Sequence, residues 1–318
     1  MKKVAIIGSG GIAKHLSDRL KPLGVKVWLT TRRNKNDFEG LLKVEKPDAV
    51  FVTISTIDKG EAARDYILTC VEAGIPVITC EKGSLAYHAN VLKPHLSKIG
   101  FSATVGGGTR MLKYIQSRHL SGKQVEIHTV LNGTLNFVFD EIRRSGWSLG
   151  EVCKEASKLG YAEPGASDPL SLINGELKDV RMKTCVFFNT VLATQRLVTP
   201  DEFGLLEQTA TDLEELSEEG GDYRLVISFS NHESIKENPR FGKQFGLHFI
   251  DGWHITGSFR QITQASQLAS WLPGGVGNAV HIIEGELGSG GKYTLSGPGA
   301  GHEPTTSAML ADFKELCD

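Results

Sequence analysis

No two cysteines in this sequence are close enough to suggest a stapled loop or a metal knuckle. The five present (Cys70, Cys80, Cys153, Cys185, Cys317) are widely spaced and form no CxxC pair. That argues against disulfide and zinc frameworks and fits a reducing compartment. An excess of either charge is also missing, because 35 lysines and arginines stand against 37 acidic residues, a formal charge of −2. Attraction to nucleic acid or an anionic membrane needs a basic surplus, so neither partner is expected. No apolar run approaches the length of a membrane span. The N-terminal MKKVAIIGSGG is broken by glycines before a signal peptide's apolar segment is complete. A cytoplasmic protein is expected. What is present is ordinary for a globular chain: 318 residues, 40% of them hydrophobic, which is enough for a sizeable core and for two domains rather than one.

The first part of the chain alternates short β-branched runs with amphipathic segments. Val4-Ala5-Ile6-Ile7, Val25 to Leu29, Ala49 to Ile54 and Pro76 to Thr79 read as strands, and Glu61 to Ala73 carries apolar residues at helical spacing. Strand, helix, strand in that rhythm predicts βαβ units and a doubly wound parallel sheet, with a trimmed crossover between the second and third strands. After about Lys123 the texture changes. VEIHTVLNG reads as a strand and TLNFVFDEIRRSG as a helix closed by Gly146. In SLGEVCKEASKLG, Ser148 and Glu151 stand at capping-box spacing. A helix is expected from about Leu177, then a solvated acidic helix, then mainly strands from Tyr223 to Ser296, and a terminal helix. The reading is α/β: a Rossmann-type domain over 1–122, an α+β domain over 123–303, and a helix over 304–318 returning to the first domain.

Gly8-Ser9-Gly10-Gly11-Ile12-Ala13 is a GxGxxA motif between a predicted strand and a predicted helix. The glycines permit a tight turn and close backbone approach to a pyrophosphate, and the helix N-terminus holds the anion. Gly8, Gly10, Gly11, Ile12 and Ala13 are therefore candidate cofactor residues. At the end of the second strand the chain offers Thr30-Thr31-Arg32-Arg33 rather than an acidic residue. Guanidinium can grip a 2′-phosphate that a carboxylate would repel, so Arg32 and Arg33 favour NADP, with NAD possible.

Several stretches then resemble the homoserine dehydrogenase family: CEKGSLA (Cys80 to Ala86), ATVGGG (Ala103 to Gly108), VLNGTLNFVFDEI (Val130 to Ile142), GYAE, DVRMK, and SGPGAGHEPTTSAMLAD (Ser296 to Asp312). The resemblance implies hydride transfer between NAD(P)H and aspartate 4-semialdehyde, giving homoserine for threonine and methionine biosynthesis. It also implies that the second domain is catalytic and forms a homodimer. It maps the catalytic lysine onto Lys183, its carboxylate partner onto Asp179, and a further catalytic and cofactor-side lysine onto Lys82. It places Asn132, Gly133, Thr134, Tyr161, Glu163 and Asp168 toward substrate, and Ser55, Thr56, Gly301 and Glu303 toward cofactor. A lysine ammonium can protonate or stabilise the alkoxide that hydride delivery builds, and a second lysine would tune it by like-charge repulsion.

The departures from the family pattern are specific. Ser171 and Leu172 fill positions where carboxylates would hold a substrate ammonium. Asp179 and Lys183 come into register only with a gap; without it Leu177 and Arg181 take their places. Glu81 replaces an asparagine, Thr109-Arg110 replaces an apolar residue and proline, and Ser102 replaces a glutamate near a monovalent cation, so no metal site is expected. Two alternatives stay open: a relative acting on another small carbonyl compound, and a catalytically silent NADP-binding homologue. The chain runs only a few residues past the terminal helix, so control by a separate amino-acid-binding domain is not expected.

Overall fold

A computed structural model describes residues 2–30, 35–162, 168–192, 194–203, 208–218, 223–232, 245–262 and 270–317. The chain runs β1 (Lys3–Ile7), α1 (Gly11–Leu20), β2 (Lys26–Thr30), α2 (Lys35–Glu45), β3 (Ala49–Val52), α3 (Glu61–Glu72), β4 (Val77–Thr79), α4 (Gly83–Tyr87), α5 (Ala89–Leu92), β5 (Ile99–Gly100) and α6 (Met111–Ser117). These strands form a parallel sheet ordered β2-β1-β3-β4-β5. Strand periodicity sends alternate side chains to opposite faces. Val4 and Ile6 of β1 pack with Ala13, Leu16 and Leu20 of α1, while Ala5 and Ile7 join Phe38 of α2 and Ile67 of α3 on the other side. Both faces are buried, which is why the strands read as continuous apolar runs rather than as alternating ones.

Then follow β6 (Val125–Val130), α7 (Gly133–Ser145), α8 (Leu149–Lys158), α9 (Pro169–Val191), α10 (Ala210–Glu218), β7 (Tyr223–Ser230), β8 (Phe245–Ile250), β9 (Trp253–Gln261), β10 (Gly277–Glu284), β11 (Gly291–Pro298) and α11 (His302–Cys317). Their strands make a second, antiparallel sheet ordered β11-β10-β6-β7-β9-β8. Helices α7 and α9 cover one face of it. Phe187 of α9 stacks on Phe229 of β7 at 4.5 Å between ring centres, and Phe139 of α7 meets Phe259 of β9 at 5.1 Å. The Val186-Phe187-Phe188 run is fully buried.

The C-terminal helix returns to the first sheet. Ala308, Met309 and Phe313 share a core with Val4, Phe51 and Ile78. Arg19 of α1 donates to Ser307 Oγ at 2.7 Å, and the buried Asp312 accepts from the Ser102 amide and hydroxyl at 2.8 and 2.6 Å. Gly146 closes α7 in the left-handed region, and the Ser148–Glu151 capping box starts α8. The helix expected from Leu177 begins earlier, at Pro169. Asp168 caps it by accepting from the Ser171 amide, and proline sits at the first position, where its missing N–H costs nothing. No helix among the described residues is long and apolar enough to cross a membrane.

Candidate active site

The carboxyl ends of β1 and β3 define the crevice where the sheet's winding direction reverses, the usual ligand position in such folds. Gly8 leaves β1 with φ +138°, and a Cβ there would collide with the Thr53 hydroxyl and lie 3.0 Å from its carbonyl oxygen. Thr53 is itself fixed by donating to the Ile7 carbonyl at 3.0 Å. Gly10 caps α1 in extended backbone with no side-chain cap, and a Cβ there would meet no protein atom within 4 Å. A tight turn, a bare helix N-terminus and open space beside it fit a dinucleotide pyrophosphate. Gly8→Ala is expected to cost roughly 1–3 kcal/mol of stability through backbone strain; thermal denaturation should register the loss, and an unchanged Tm would contradict the geometry.

A cavity of about 320 Å³ is bounded by the Lys82 loop, the start of α7, Tyr161, one face of α9 and Gly299-Ala300. Lys82 comes from the turn after β4. Glu81 beside it is buried, accepts from the Gly83 and Ser84 amides at 2.7 and 2.9 Å, and takes the Thr56 hydroxyl at 2.5 Å. A carboxylate at the N-terminus of α4 satisfies orphan helix donors and fixes where Lys82 emerges.

Asp179 joins the two lysines. Lys82 Nζ lies 2.5 Å from its Oδ1, and Lys183 Nζ lies 2.7 Å from its Oδ2. Burial opposes ionisation of Asp179, but Lys183 and Lys82 outweigh it and hold the carboxyl below its usual range. Asn132 caps α7 by accepting from the Leu135 amide, and its Nδ2 donates to Glu176 at 2.6 Å and Asp179 at 3.1 Å. Glu176 is raised to about 7, first by burial and then by the charge of Asp179. Thr134 Oγ1 donates to the Tyr161 carbonyl at 2.8 Å, tying the far wall to α7. Two ammoniums and two carboxyls of separated proton affinity can carry charge and protons to a small polar molecule.

Lys82, Asn132, Gly133, Thr134, Tyr161, Asp179 and Lys183 thus come together. Leu177 is buried in the core and Arg181 donates to the Phe203 carbonyl, so neither faces the cavity, and the gapped register is the one that brings α9 side chains into it. Asp168 spends its side chain on the helix cap. Ser55 is exposed on the loop after β3, whereas the Thr56 hydroxyl is committed to Glu81. Gly301 takes φ +110°, and Glu303 ties α11 to α1 through His15 at 2.8 Å and Arg19 at 3.0 Å. Ser102 hydrogen-bonds Asp312 rather than facing the cavity. Arg32, Arg33 and Glu163 lie outside the described residues. Sequence reasoning missed Glu176, although its place three residues before Asp179 puts both on one helical face. A larger cavity of about 490 Å³ lies between α2 and α3, with Leu42, Thr69 and Ile75 in its walls. It holds none of these groups.

Fold and site together define a dinucleotide-binding architecture joined to a second, lysine-bearing α+β unit. The chain belongs to the homoserine dehydrogenase family, whose family profile matches residues 111–313. A homoserine dehydrogenase of Lactococcus lactis is 27% identical over 277 residues, 84% of this chain and 57% of that protein. The chain therefore spans little more than half the length of such curated relatives. Among solved structures, a putative homoserine dehydrogenase from Archaeoglobus fulgidus has a TM-score of 0.66 at 19% identity, covering 99% of both chains. A hyperthermophilic archaeal homoserine dehydrogenase in complex with NADPH has a TM-score of 0.65 at 20% identity, covering 99% of this chain and 98% of that one. These two likenesses establish the fold.

Proposed function

We propose that this protein catalyses reversible hydride transfer between NADPH and aspartate 4-semialdehyde, with L-homoserine as the reduced product. The observation that carries the reading is the pair of lysine ammoniums held on one largely buried carboxylate, Asp179, in the wall of the cavity. Family membership supports the reaction, and the NADPH complex of an archaeal relative supports the cofactor. The turn from Gly8 to Ala13, the α1 N-terminus and the Gly299–Gly301 loop would hold the dinucleotide. When bound, its nicotinamide supplies or accepts the hydride.

The protein's own groups handle the proton. In reduction the substrate carbonyl oxygen gains negative charge and must be protonated; Lys183, fixed by Asp179, donates that proton, and in oxidation its neutral form takes the hydroxyl proton back. Lys82, on the same carboxylate, adds positive charge where the alkoxide develops. Asn132, itself buried with Glu176, orients both carboxyls. Initial-rate measurements with homoserine and NADP⁺ test this directly: the rate should depend on both and saturate in both.

NADP preference is assigned to Arg32 and Arg33. Replacing both by neutral residues is expected to weaken NADPH by about ten- to a hundredfold while leaving NADH nearly unaffected, since charge-assisted bonds to the 2′-phosphate are lost and nothing else is. Fluorescence titration with each cofactor separates the cases; equal losses would make the arginines loop-shaping residues only. A cytoplasmic homodimer is the assembly the family resemblance supports, and sedimentation at micromolar concentration tests it.

A further inference from the structure

We propose that Glu81 is a positioning residue for Lys82, and that the Thr56 hydroxyl, rather than holding the cofactor, is the link by which the loop after β3 sets where that lysine stands; this rests on the catalytic reading of Lys82 given above. Three donors converge on the Glu81 side chain, which is 2% exposed. Its Oε1 accepts from the Gly83 amide at 2.7 Å and from the Thr56 hydroxyl at 2.5 Å, and its Oε2 accepts from the Ser84 amide at 2.9 Å. A carboxylate meets three donors in this way, whereas a side-chain amide would turn an NH2 group toward one of them. The asparagine of the family pattern is also one methylene shorter, so it cannot build the same mount.

The backbone repeats the link. The Thr79 hydroxyl donates to the Val52 carbonyl at 3.1 Å and accepts from the Glu81 amide at 2.9 Å, so the end of β3 is tied to Glu81 a second time. The two loops also touch closely enough that glycine is required at two points. A Cβ on Gly60, which takes φ +80°, would lie 2.3 Å from the Ser84 nitrogen, and one on Gly83 would lie 2.4 Å from Thr56 Cγ2. Lys82 therefore has little freedom at its backbone: it stands at the N-cap of α4 with Glu81 fixed before it and Gly83 fixed after it. From there its Nζ reaches Asp179 Oδ1 at 2.5 Å, the contact that brings its charge to the cavity wall. Misplacing such a group by about 1 Å costs on the order of a hundredfold in rate. Glu81 does not line the cavity, so its effect on the chemistry runs through Lys82.

A double-mutant cycle separates positioning from general support of the fold. Glu81→Gln is expected to lower kcat for homoserine oxidation by about ten- to a hundredfold, and by less than about twofold when Lys82 is already alanine. Losses that multiply in the double variant would overturn the assignment, because a merely structural carboxylate acts whether or not Lys82 is present. Thr56→Val, which removes the hydroxyl and keeps the volume, carries the same test if Glu81→Gln does not fold. Its kcat should fall severalfold in the parent, and in Lys82→Ala it should move neither kcat nor the NADPH dissociation constant from fluorescence titration. Weakening of NADPH by about tenfold that persists in Lys82→Ala would make Thr56 a cofactor ligand and overturn the proposal. One readout needs no activity: reductive methylation of Lys82 by formaldehyde and cyanoborohydride, followed by mass spectrometry. It should run severalfold faster in Glu81→Gln than in the parent, because the displaced amine leaves Asp179; an unchanged rate would contradict the mount. Failure of the parent to oxidise homoserine would overturn the functional reading, and the labelling rates would still decide whether Glu81 places Lys82.

Discussion

Lys183→Ala is expected to lower kcat by about a thousandfold while leaving the NADPH dissociation constant within a fewfold of the parent. General acid–base groups contribute on the order of 10²–10⁴ to rate, and an effect confined to the transition state appears in kcat without appearing in cofactor affinity. The ammonium lies on the cavity wall 2.7 Å from Asp179, and no residue of the Gly8–Ala13 turn lines that cavity. Its loss leaves Asp179 with Lys82 as a partner, so the fold survives and the comparison is clean. Stopped-flow hydride transfer and fluorescence titration on the same preparation provide the two numbers. Turnover within a fewfold of the parent would remove Lys183 from the chemistry, and a parallel fall in NADPH affinity would make its role structural. Lys82→Ala should instead affect both quantities, because the family resemblance places Lys82 on the cofactor side as well as in catalysis.

The largest stability effect is expected from Asp140→Ala. Asp140 on α7 holds Arg224 of β7 at 2.6 Å and accepts the Gly275 amide at 2.8 Å, and both charged side chains are nearly inaccessible. Removing Asp140 takes from the buried Arg224 a carboxylate that balances its charge, and breaking a buried pair in this way costs about 3–5 kcal/mol, more than the pair itself contributes. Chemical denaturation should show that loss with an unchanged slope. Replacing both residues by apolar ones of similar volume should recover much of it, because no buried charge remains. If Asp140→Ala loses less than about 1 kcal/mol, the pair is solvated in solution and the packing of β7 against α7 is looser than described.

The parts of this molecule legible in its sequence are those fixed by local rules. Gly8 and Gly10 announce the turn because strand, turn and helix are contiguous, and the capping boxes at Ser148 and Gly146's closure of α7 follow from residues within one turn of each other. The candidate site was legible only where the family resemblance supplied register. Leu177 and Arg181 compete with Asp179 and Lys183 on spacing alone, and the choice between them depends on which face of α9 meets the core. The helix expected from about Leu177 begins at Pro169 because Asp168, which the family resemblance places toward substrate, serves with Pro169 as a strong helix start. With α9 begun too late, Glu176 fell outside the helical face it shares with Asp179. Contacts between distant segments, such as Lys82 with Asp179 and Ser102 with Asp312, leave no local trace. The Glu81 cap on α4 had a signal, a carboxylate directly ahead of Lys82-Gly83, which was read as a departure rather than as a helix cap.

The central claim is that one cavity, built on Asp179 and its two lysines, oxidises homoserine at the expense of a nicotinamide cofactor. The most direct test is NADPH absorbance in a mixture of purified protein, NADP⁺ and L-homoserine, with each component omitted in turn. The account predicts absorbance growth that requires all three, saturates with homoserine, and disappears in Lys183→Ala. A protein that binds NADPH in titration yet gives no homoserine-dependent absorbance change would contradict it and leave a binding protein in the enzyme's fold.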